Sequence, residues 1–415
     1  MKILFVHQNY PGQFLHLAPE LIRRGHQVLA LTDKANRHQT PVRTLRYAHE
    51  AAKPDAAATR LGRTFTEMSD RGVSTARAAQ TLRDRHGFTP DVIFGHSGWG
   101  ETLFLKEVWP QAKLIIYAEF YYRGLGQDVG FDPEFSKDGL DPSIIATART
   151  AHLGLSLLHA DAALAPTRWQ ASTFPAPLRP MIEVIFDGVN TEVLRPDPEA
   201  RLSLPNGREV KAGDEVLTFI NRNLEPYRGY HSFLRALPEV MAARPEAQVV
   251  IVGGDGVSYG AAAPHGSWKE HFLAEVRDQI DLSRLHFLGR IPYGQFVKLC
   301  QISRVHAYLT YPFVLSWSML EAMAAGAHVI GSDTAPVREL ITDGVNGQLV
   351  GFHDIPGWSK ALIAGLAEPR RFDPLRKAAR ETILTGGYDL HGHCLPRIAN
   401  FVEAVGAGHG RPGGR

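Results

Sequence analysis

Two arginines, Arg222 and Arg228, stand six residues apart in NRNLEPYRGYHSFLRAL, where an apolar run gives way to a helical pattern. Cations are disfavoured at the positive end of a helix dipole, so guanidinium groups kept there point to an anion that they hold. A second stretch, Tyr311 to Asp333, reads YPFVLSWSMLEAMAAGAHVIGSD. Its pattern predicts a strand ending near Leu309, a turn, a helix from about Ser318 to Ala325, a stop at Gly326 and a second strand at His328 to Ile330. Amides at a helix N-terminus bind anions, so the turn around Val314, Leu315, Ser316 and Trp317 is expected to face one. Glu321 lies one turn into that helix. Ser318-Met319-Leu320-Glu321 also fits a capping box, in which the carboxylate would only satisfy the helix end.

The first half carries a matching set of strand-end residues. The apolar run Ile3 to Val6 leads into HQNYPGQ, which contains Asn9 and, just before a helix, Gly12, a residue without Cβ that lets a ligand reach the backbone. DVIFGHSGWGE, Asp91 to Glu101, delivers His96 from a strand into a glycine-rich turn before an expected helix Thr102 to Val108. The strand Leu114 to Ala118 ends in Glu119-Phe120-Tyr121-Tyr122-Arg123, and an irregular loop runs on to about Pro142.

The elements that must position these residues alternate between short apolar runs and helical patterns. Phe14, Leu17, Ala18, Leu21 and Ile22 have the spacing of one helix face, Gly25 stops it, and Val28 to Leu31 is the next strand. Ala162 to Ala165 and Glu183 to Phe186 complete a first sheet; Val216 to Ile220, Gln248 to Val252 and Leu285 to Leu288 begin a second. Continuous apolar strands between helices indicate parallel sheets buried on both faces. Ligands of such sheets sit outside the carboxyl ends of the strands. Gly253-Gly254-Asp255-Gly256 is not a dinucleotide fingerprint, because no third glycine opens a helix at the required offset, and the first strand lacks one too. That argues against a nicotinamide enzyme.

A length of 415 residues suggests two domains of about 200 residues each. Pro196 to Gly213 is polar and without period, which marks a linker. The expected domains are 1–195 and 214–385, joined by 196–213, with a helix in 386–408 and a flexible tail 409–415. On the last helix Leu395, Ile398, Phe401, Val402 and Val405 share a face. Lys+Arg 45 against Asp+Glu 43 leaves the chain nearly neutral, which gives no reason to expect nucleic acid as a partner. The arginine-rich run Arg60 to Arg85 is a solvated helix face or a contact with anionic lipid. Two cysteines, Cys300 and Cys394, make neither a metal cage nor a disulfide framework and fit a reducing compartment. MKILFVHQ lacks the pattern of a signal peptide, and no apolar run approaches the roughly 20 residues of a membrane span. A cytoplasmic protein is expected, with peripheral membrane contact as an option.

These motifs resemble the retaining nucleotide-sugar glycosyltransferases of family 4. Glu321 followed by Ala322-Met323-Ala324-Ala325-Gly326 matches the second glutamate of that family's signature, and the position of the first is taken by Phe313. Arg222 and Arg228 fall on the Arg and Lys pair that grips the donor diphosphate. HQNYPGQF is similar to the opening of a bacterial subgroup, and Asp187-Gly188-Val189-Asn190 resembles the element that ends the first domain. The resemblance implies a GT-B fold, α/β, with two Rossmann-like domains of parallel sheets facing across a cleft. It also implies transfer of a hexosyl group from a UDP-hexose or GDP-mannose, with retention, no metal and no cofactor beyond the nucleotide sugar.

By the same resemblance Arg222 and Arg228 stabilise the leaving diphosphate, whose charge grows as the bond breaks, and His96 contacts or orients the donor sugar. Gly12, Arg290, Ile291, the turn Val314 to Trp317 and Glu321 bind the donor, with Arg290 and Ile291 at the base and Glu321 on the ribose hydroxyls. Asn9, Glu119, Tyr122 and Arg123 form the expected acceptor surface, because aromatic faces stack on sugars and carboxylates accept from hydroxyls. The acceptor is a glycan, a lipid-linked or a small-molecule hydroxyl. A nucleotide-sugar-binding protein without transfer, or a GT-B epimerase, would carry much of the same pattern.

Overall fold

A computed structural model describes residues 1–49, 59, 61–136 and 139–408. Arg60 and the tail 409–415, on which two expectations fall, lie outside the described residues. The first sheet is formed by β1 (Lys2–Val6), β2 (Gln27–Asp33), β3 (Thr44–Tyr47), β4 (Val92–His96), β5 (Lys113–Tyr117), β6 (Ala162–Ala165) and β7 (Ile182–Val184). Every pairing in it is parallel, in the order β3-β2-β1-β4-β5-β6-β7. The chain then makes a small antiparallel hairpin, β8 (Arg201–Ser203) and β9 (Glu209–Lys211). A second parallel sheet follows, of β10 (Val216–Asn223), β11 (Gln248–Gly254), β12 (Leu285–Gly289), β13 (Val305–Tyr308), β14 (His328–Ser332) and β15 (Gln348–Val350), in the order β12-β11-β10-β13-β14-β15.

Both sheets start in the middle, run outward, and then return to the other side of their first strand. The order reverses between β1 and β4 in one and between β10 and β13 in the other. Where the connections leave a sheet in opposite directions a crevice opens at the carboxyl ends, so His7, His96, Asn223 and the segment after Tyr308 border such crevices. The central strands are apolar because helices cover both faces: Ile3 to Val6 and Leu217, Phe219, Val249, Val250 and Ile251 are buried.

The chain divides into two units: Met1–Asp187 with the C-terminal segment from His391, and Gly188–Leu390. The expected boundary at 195 therefore lies at 187, and the expected linker 196–213 belongs to the second unit. That segment holds the β8/β9 hairpin, in which Leu202 and Val210 are each buried between exposed neighbours. One apolar residue per strand is too little for sequence periodicity to register. The helix Leu395–Gly406 packs in the first unit, with Leu395, Ile398, Phe401, Val402 and Val405 all buried. Its Glu403 accepts from Arg24 Nη1 at 2.9 Å and from the His26 ring at 2.8 Å.

Smaller expectations shift. The helix expected from Thr102 begins only at Leu105, the strand expected at Glu183 to Phe186 is Ile182–Val184, and Ile22 is 43% exposed rather than on the buried face. No helix among the described residues is long and apolar enough to cross a membrane.

The turn that carries Arg228 depends on Gly229. It sits at φ +66°, and a Cβ there would overlap the Cβ of Leu309. Left-handed backbone and overpacking together predict that Gly229→Ala destabilises the protein by about 2–4 kcal/mol. Denaturant melts check this, and adding Leu309→Gly, which removes the overlapping Cβ, should lessen the extra loss attributable to the clash, read as a double-mutant coupling.

Candidate functional site

In the second unit the site is built at the carboxyl end of β10. Its pairing with β11 slips between Ile220 and Asn223, an irregularity of the kind that re-aims side chains, and Arg222 is exposed there. Arg228 ends a short 3-10 turn, Pro226–Arg228, and only 5% of it is exposed. Its Nη1 donates to Thr310 Oγ1 at 2.9 Å and to the Val314 carbonyl at 2.8 Å. The guanidinium lies over the rings of Tyr259, 5.0 Å away, and Phe313, 5.8 Å away. The two arginines are thus unlike each other, one anchored among aromatic faces and one in solvent, rather than a pair of equivalent fixed cations.

Phe313 is 3% exposed and packs edge-on to Tyr227 at 5.5 Å and Tyr259 at 4.8 Å. Tyr259 is in turn held by Glu225, a buried carboxylate that accepts from the amides of Ser258 at 3.1 Å and Tyr259 at 3.2 Å. Sequence reading passed over Glu225 and Tyr259 because they meet from segments more than thirty residues apart. The only local signal was a carboxylate three residues before Arg228.

The helix Trp317–Ala325 is capped by Ser316, whose hydroxyl accepts from the Ser318 amide at 3.4 Å. Ser318 is therefore inside the helix, and the capping-box reading of Glu321 fails. Of the four turn amides expected to face an anion, that of Ser316 is occupied: it donates to the Tyr308 hydroxyl at 2.7 Å. Val314 offers its carbonyl to Arg228, Leu315 is buried, and Trp317 is 43% exposed. After β12, Arg290 is exposed with its Nε reaching over Gly254, and Ile291 is half-buried.

In the first unit, His96 ends β4 and is 2% exposed. Its Nδ1 accepts from the Gly98 amide at 2.9 Å, and its ring stacks between Trp99 at 4.4 Å and Tyr117 at 5.3 Å. Its Nε2 lies 3.5 Å from Glu119 Oε2. His7, at the end of β1, repeats the arrangement, with Nδ1 accepting from the Asn9 amide at 3.0 Å and Nε2 meeting Gln13 Oε1 at 3.0 Å. Gln13 Nε2 donates to Glu119 Oε1 at 3.3 Å. Asn9 itself is exposed.

Gly12, with φ +47°, is required for a reason other than ligand approach: a Cβ there would stand 2.7 Å from His7 Nε2. His7 and Gln13 escaped sequence reading although the strand-end placement that singled out His96 applies equally to His7. Tyr122 lies edge-on to Phe120 at 5.1 Å. Arg123 is turned to structure, its Nη2 donating to the carbonyls of Ser172 at 3.2 Å and Phe174 at 3.1 Å, so its expected place on an acceptor surface gives way to tying down the end of the helix Arg168–Thr173.

Comparison with known proteins gives these geometries a context. Residues 24–194 match the model of the glycosyl transferase family 4 group, and residues 205–382 match that of glycosyl transferases group 1. The chain belongs to glycosyltransferase family 4. It is 28% identical over 237 residues to the D-inositol 3-phosphate glycosyltransferase of Mycolicibacterium paratuberculosis, covering 56% of this chain and 46% of that one. Against the Mycobacterium ulcerans protein of the same name it is 25% identical over 273 residues, 65% of this chain and 52% of the other. The chain thus spans about half the length of the curated relatives it matches.

Among solved structures, sucrose-phosphate synthase from Thermosynechococcus elongatus aligns with a TM-score of 0.73 at 18% identity, covering 98% of this chain and 100% of that one. Anabaena HepE in complex with UDP-glucose aligns at 0.67 and 16% identity, covering 97% and 100%. These likenesses show the shared fold, two Rossmann-like domains of the GT-B class.

In this family 4 protein Glu321 carries an electrostatic cost. Burial pushes its carboxyl up from the ordinary 4.5 to about 7, and the Tyr293 hydroxyl, donating at 3.5 Å, offsets little of that. A folded-state pKa above the unfolded one means that the native protein holds the extra proton, so this contribution to stability is full below about pH 4.5 and is lost as pH rises to about 7. Thermal melts between pH 5 and 8 should therefore show a smaller decline for Glu321→Gln than for the wild type. An equal decline in both would remove Glu321 as its source.

Proposed function

We propose that this protein is a retaining glycosyltransferase that moves a hexosyl group from a nucleotide diphosphate sugar to an acceptor hydroxyl. The observation that carries the reading is the pairing of an anchored guanidinium, Arg228, with an exposed one, Arg222, at the carboxyl end of the strand beside the reversal in the second sheet. A departing diphosphate gains charge as the sugar leaves. An anchored cation there, with a second, exposed one close in sequence, stabilises the transition state more than the ground state, with no metal needed for charge neutralisation. Arginine offers a fork of donors suited to phosphate oxygens.

Family membership supports the donor class, and the HepE complex with UDP-glucose supports a uridine or other nucleoside diphosphate hexose first. UDP-hexoses and GDP-mannose are the donors to try. On this reading Arg290 and Ile291 lie at the base, Glu321 accepts from the ribose hydroxyls, and the turn at Val314, Leu315 and Trp317 faces sugar and phosphate. His96 and Glu119 face the sugar and the acceptor, which is a hydroxyl of a glycan, lipid-linked or small-molecule compound. The protein works in the cytoplasm, and the exposed Arg63, Arg77 and Arg85 of the helix Arg63–His86 give it a basic face for peripheral contact with anionic lipid.

A thermal-shift panel of nucleotide sugars identifies the donor, since a ligand that binds only the folded state raises apparent stability with its affinity. Turnover of that donor is then measured in the presence of a chelator. Arg222→Ala and Arg228→Ala should each lower kcat by about 100–1,000-fold. Full turnover in both variants would overturn the proposal. Donor binding without transfer or hydrolysis in the wild type would leave a nucleotide-sugar-binding protein, and an altered sugar released without acceptor would make it an epimerase.

A further inference from the structure

We infer that Gln13, locked by His7, is a positioning residue that fixes the Glu119 carboxylate toward the acceptor hydroxyl. This rests on the proposed transfer reaction and extends it to two residues with no assigned part. The argument turns on which atoms carry hydrogens. A neutral imidazole has one N–H, and its location follows from what the other nitrogen does.

His7 Nδ1 accepts from the Asn9 amide at 3.0 Å, so the ring hydrogen is on Nε2. Nε2–H can only donate, so the atom of Gln13 that meets it at 3.0 Å must be the amide oxygen. The Gln13 NH2 group then has one direction left, toward Glu119 Oε1 at 3.3 Å. Gly12 makes the arrangement sterically feasible, because a side chain there would collide with the His7 ring. A backbone amide at residue 9 thereby dictates the orientation of a side-chain amide at 13 and, through it, of a carboxylate at 119.

The other oxygen of Glu119 is approached from the opposite side. His96 Nδ1 accepts from the Gly98 amide, which puts its ring hydrogen on Nε2 as well, 3.5 Å from Glu119 Oε2. His7 thus reaches the carboxylate through Gln13, while His96 Nε2 faces Glu119 Oε2 at 3.5 Å without a hydrogen bond in this structure. Glu119 keeps 30% of its side-chain surface exposed, whereas His96 keeps 3%. With Oε1 engaged by Gln13, an incoming hydroxyl donates to the exposed part of the Glu119 carboxylate. Gln13 and His7 touch neither the substrate nor each other's ligand; they act through Glu119.

The test uses the full chain labelled with 15N-histidine, together with the donor identified by the panel and the acceptor that gives turnover of that donor in a screen of glycan, lipid-linked and small-molecule hydroxyl compounds. Long-range proton–nitrogen spectra, assigned with His7→Phe and His96→Phe, should show both rings as Nε2–H tautomers. A Nδ1–H tautomer at His7 would turn the Gln13 amide around and overturn the inference whether or not turnover is ever observed. Gln13→Met, close in shape but without donors, should raise the acceptor KM or lower kcat/KM for the acceptor by about 10–100-fold. Donor affinity by calorimetry should stay within about twofold, a split that a general loss of structure would not produce.

Gln13→Glu, which sets a second carboxylate against Glu119, should be worse than Gln13→Met. Unchanged acceptor kinetics in Gln13→Met, or an equal loss of donor binding, would overturn the inference while leaving the transferase reading in place. A wild type that transfers nothing would instead sink the transferase reading, and the tautomer of His7 would still decide whether the lock exists.

Discussion

A buried guanidinium must find partners for its charge and its hydrogens, and Arg228 organises much of the second unit around that need. Removing a cation from water costs several kcal/mol unless it is paired or hydrogen-bonded. Arg228 meets the demand with a hydroxyl, Thr310, a main-chain carbonyl, Val314, and two ring faces, Tyr259 and Phe313. Three of these come from the segment after β13 and Tyr259 from the loop after β11, so fixing one cation fixes both. Glu225 completes the set by receiving the amides of Ser258 and Tyr259. The aromatic residue at 313 becomes intelligible in this light. A planar guanidinium has a face that an aromatic ring can cover, while a lysine ammonium is a point charge better matched by a carboxylate. Arginine at 228 and phenylalanine at 313 form one consistent choice.

The first unit solves a related problem with two imidazole rings. His7 and His96 leave adjacent strands at the reversal of the sheet, and each closes on the amide two residues ahead. A strand end that turns sharply exposes an amide without a ladder partner, and the ring nitrogen takes it. The same bond fixes the tautomer and aims the remaining N–H along the crevice. In this way backbone geometry at β1 and β4, set by parallel pairing, determines side-chain chemistry that composition alone would not specify.

What could be read in the sequence follows from these physics. Central strands such as Ile3 to Val6 and Val216 to Ile220 are buried on both faces and read as unbroken apolar runs. The edge strands Thr44–Tyr47 and Gln348–Val350 and the hairpin at 201–211 are half-exposed and lack that signature. Strand-end residues were legible for the same reason, since His96, Arg222 and Arg228 follow recognisable strands. Their partners were not. Whether Ser316 or Ser318 caps the helix depends on backbone angles at one turn, and whether Arg123 faces a ligand or two carbonyls depends on where the helix Arg168–Thr173 comes to rest. The first choice is settled within two residues and the second by partners about fifty residues away, and no local pattern encodes either.

Glu321 is the residue whose position the fold itself does not justify. Ser316 already caps the helix, so the carboxylate serves no helix end. Its partner Tyr293 stands at the limit of hydrogen-bond distance, and burial has pushed its pKa to about 7. An apolar residue would pack there without that penalty, as Phe313 does eight positions earlier. A group held at an electrostatic cost that the fold does not repay reads as functional rather than structural. On the proposed reaction the two positions divide the donor between them. The carboxylate at 321 meets a pair of vicinal hydroxyls on the nucleoside, which restore the hydrogen bonds that burial removed. The aromatic ring at 313 serves the cation that meets the diphosphate.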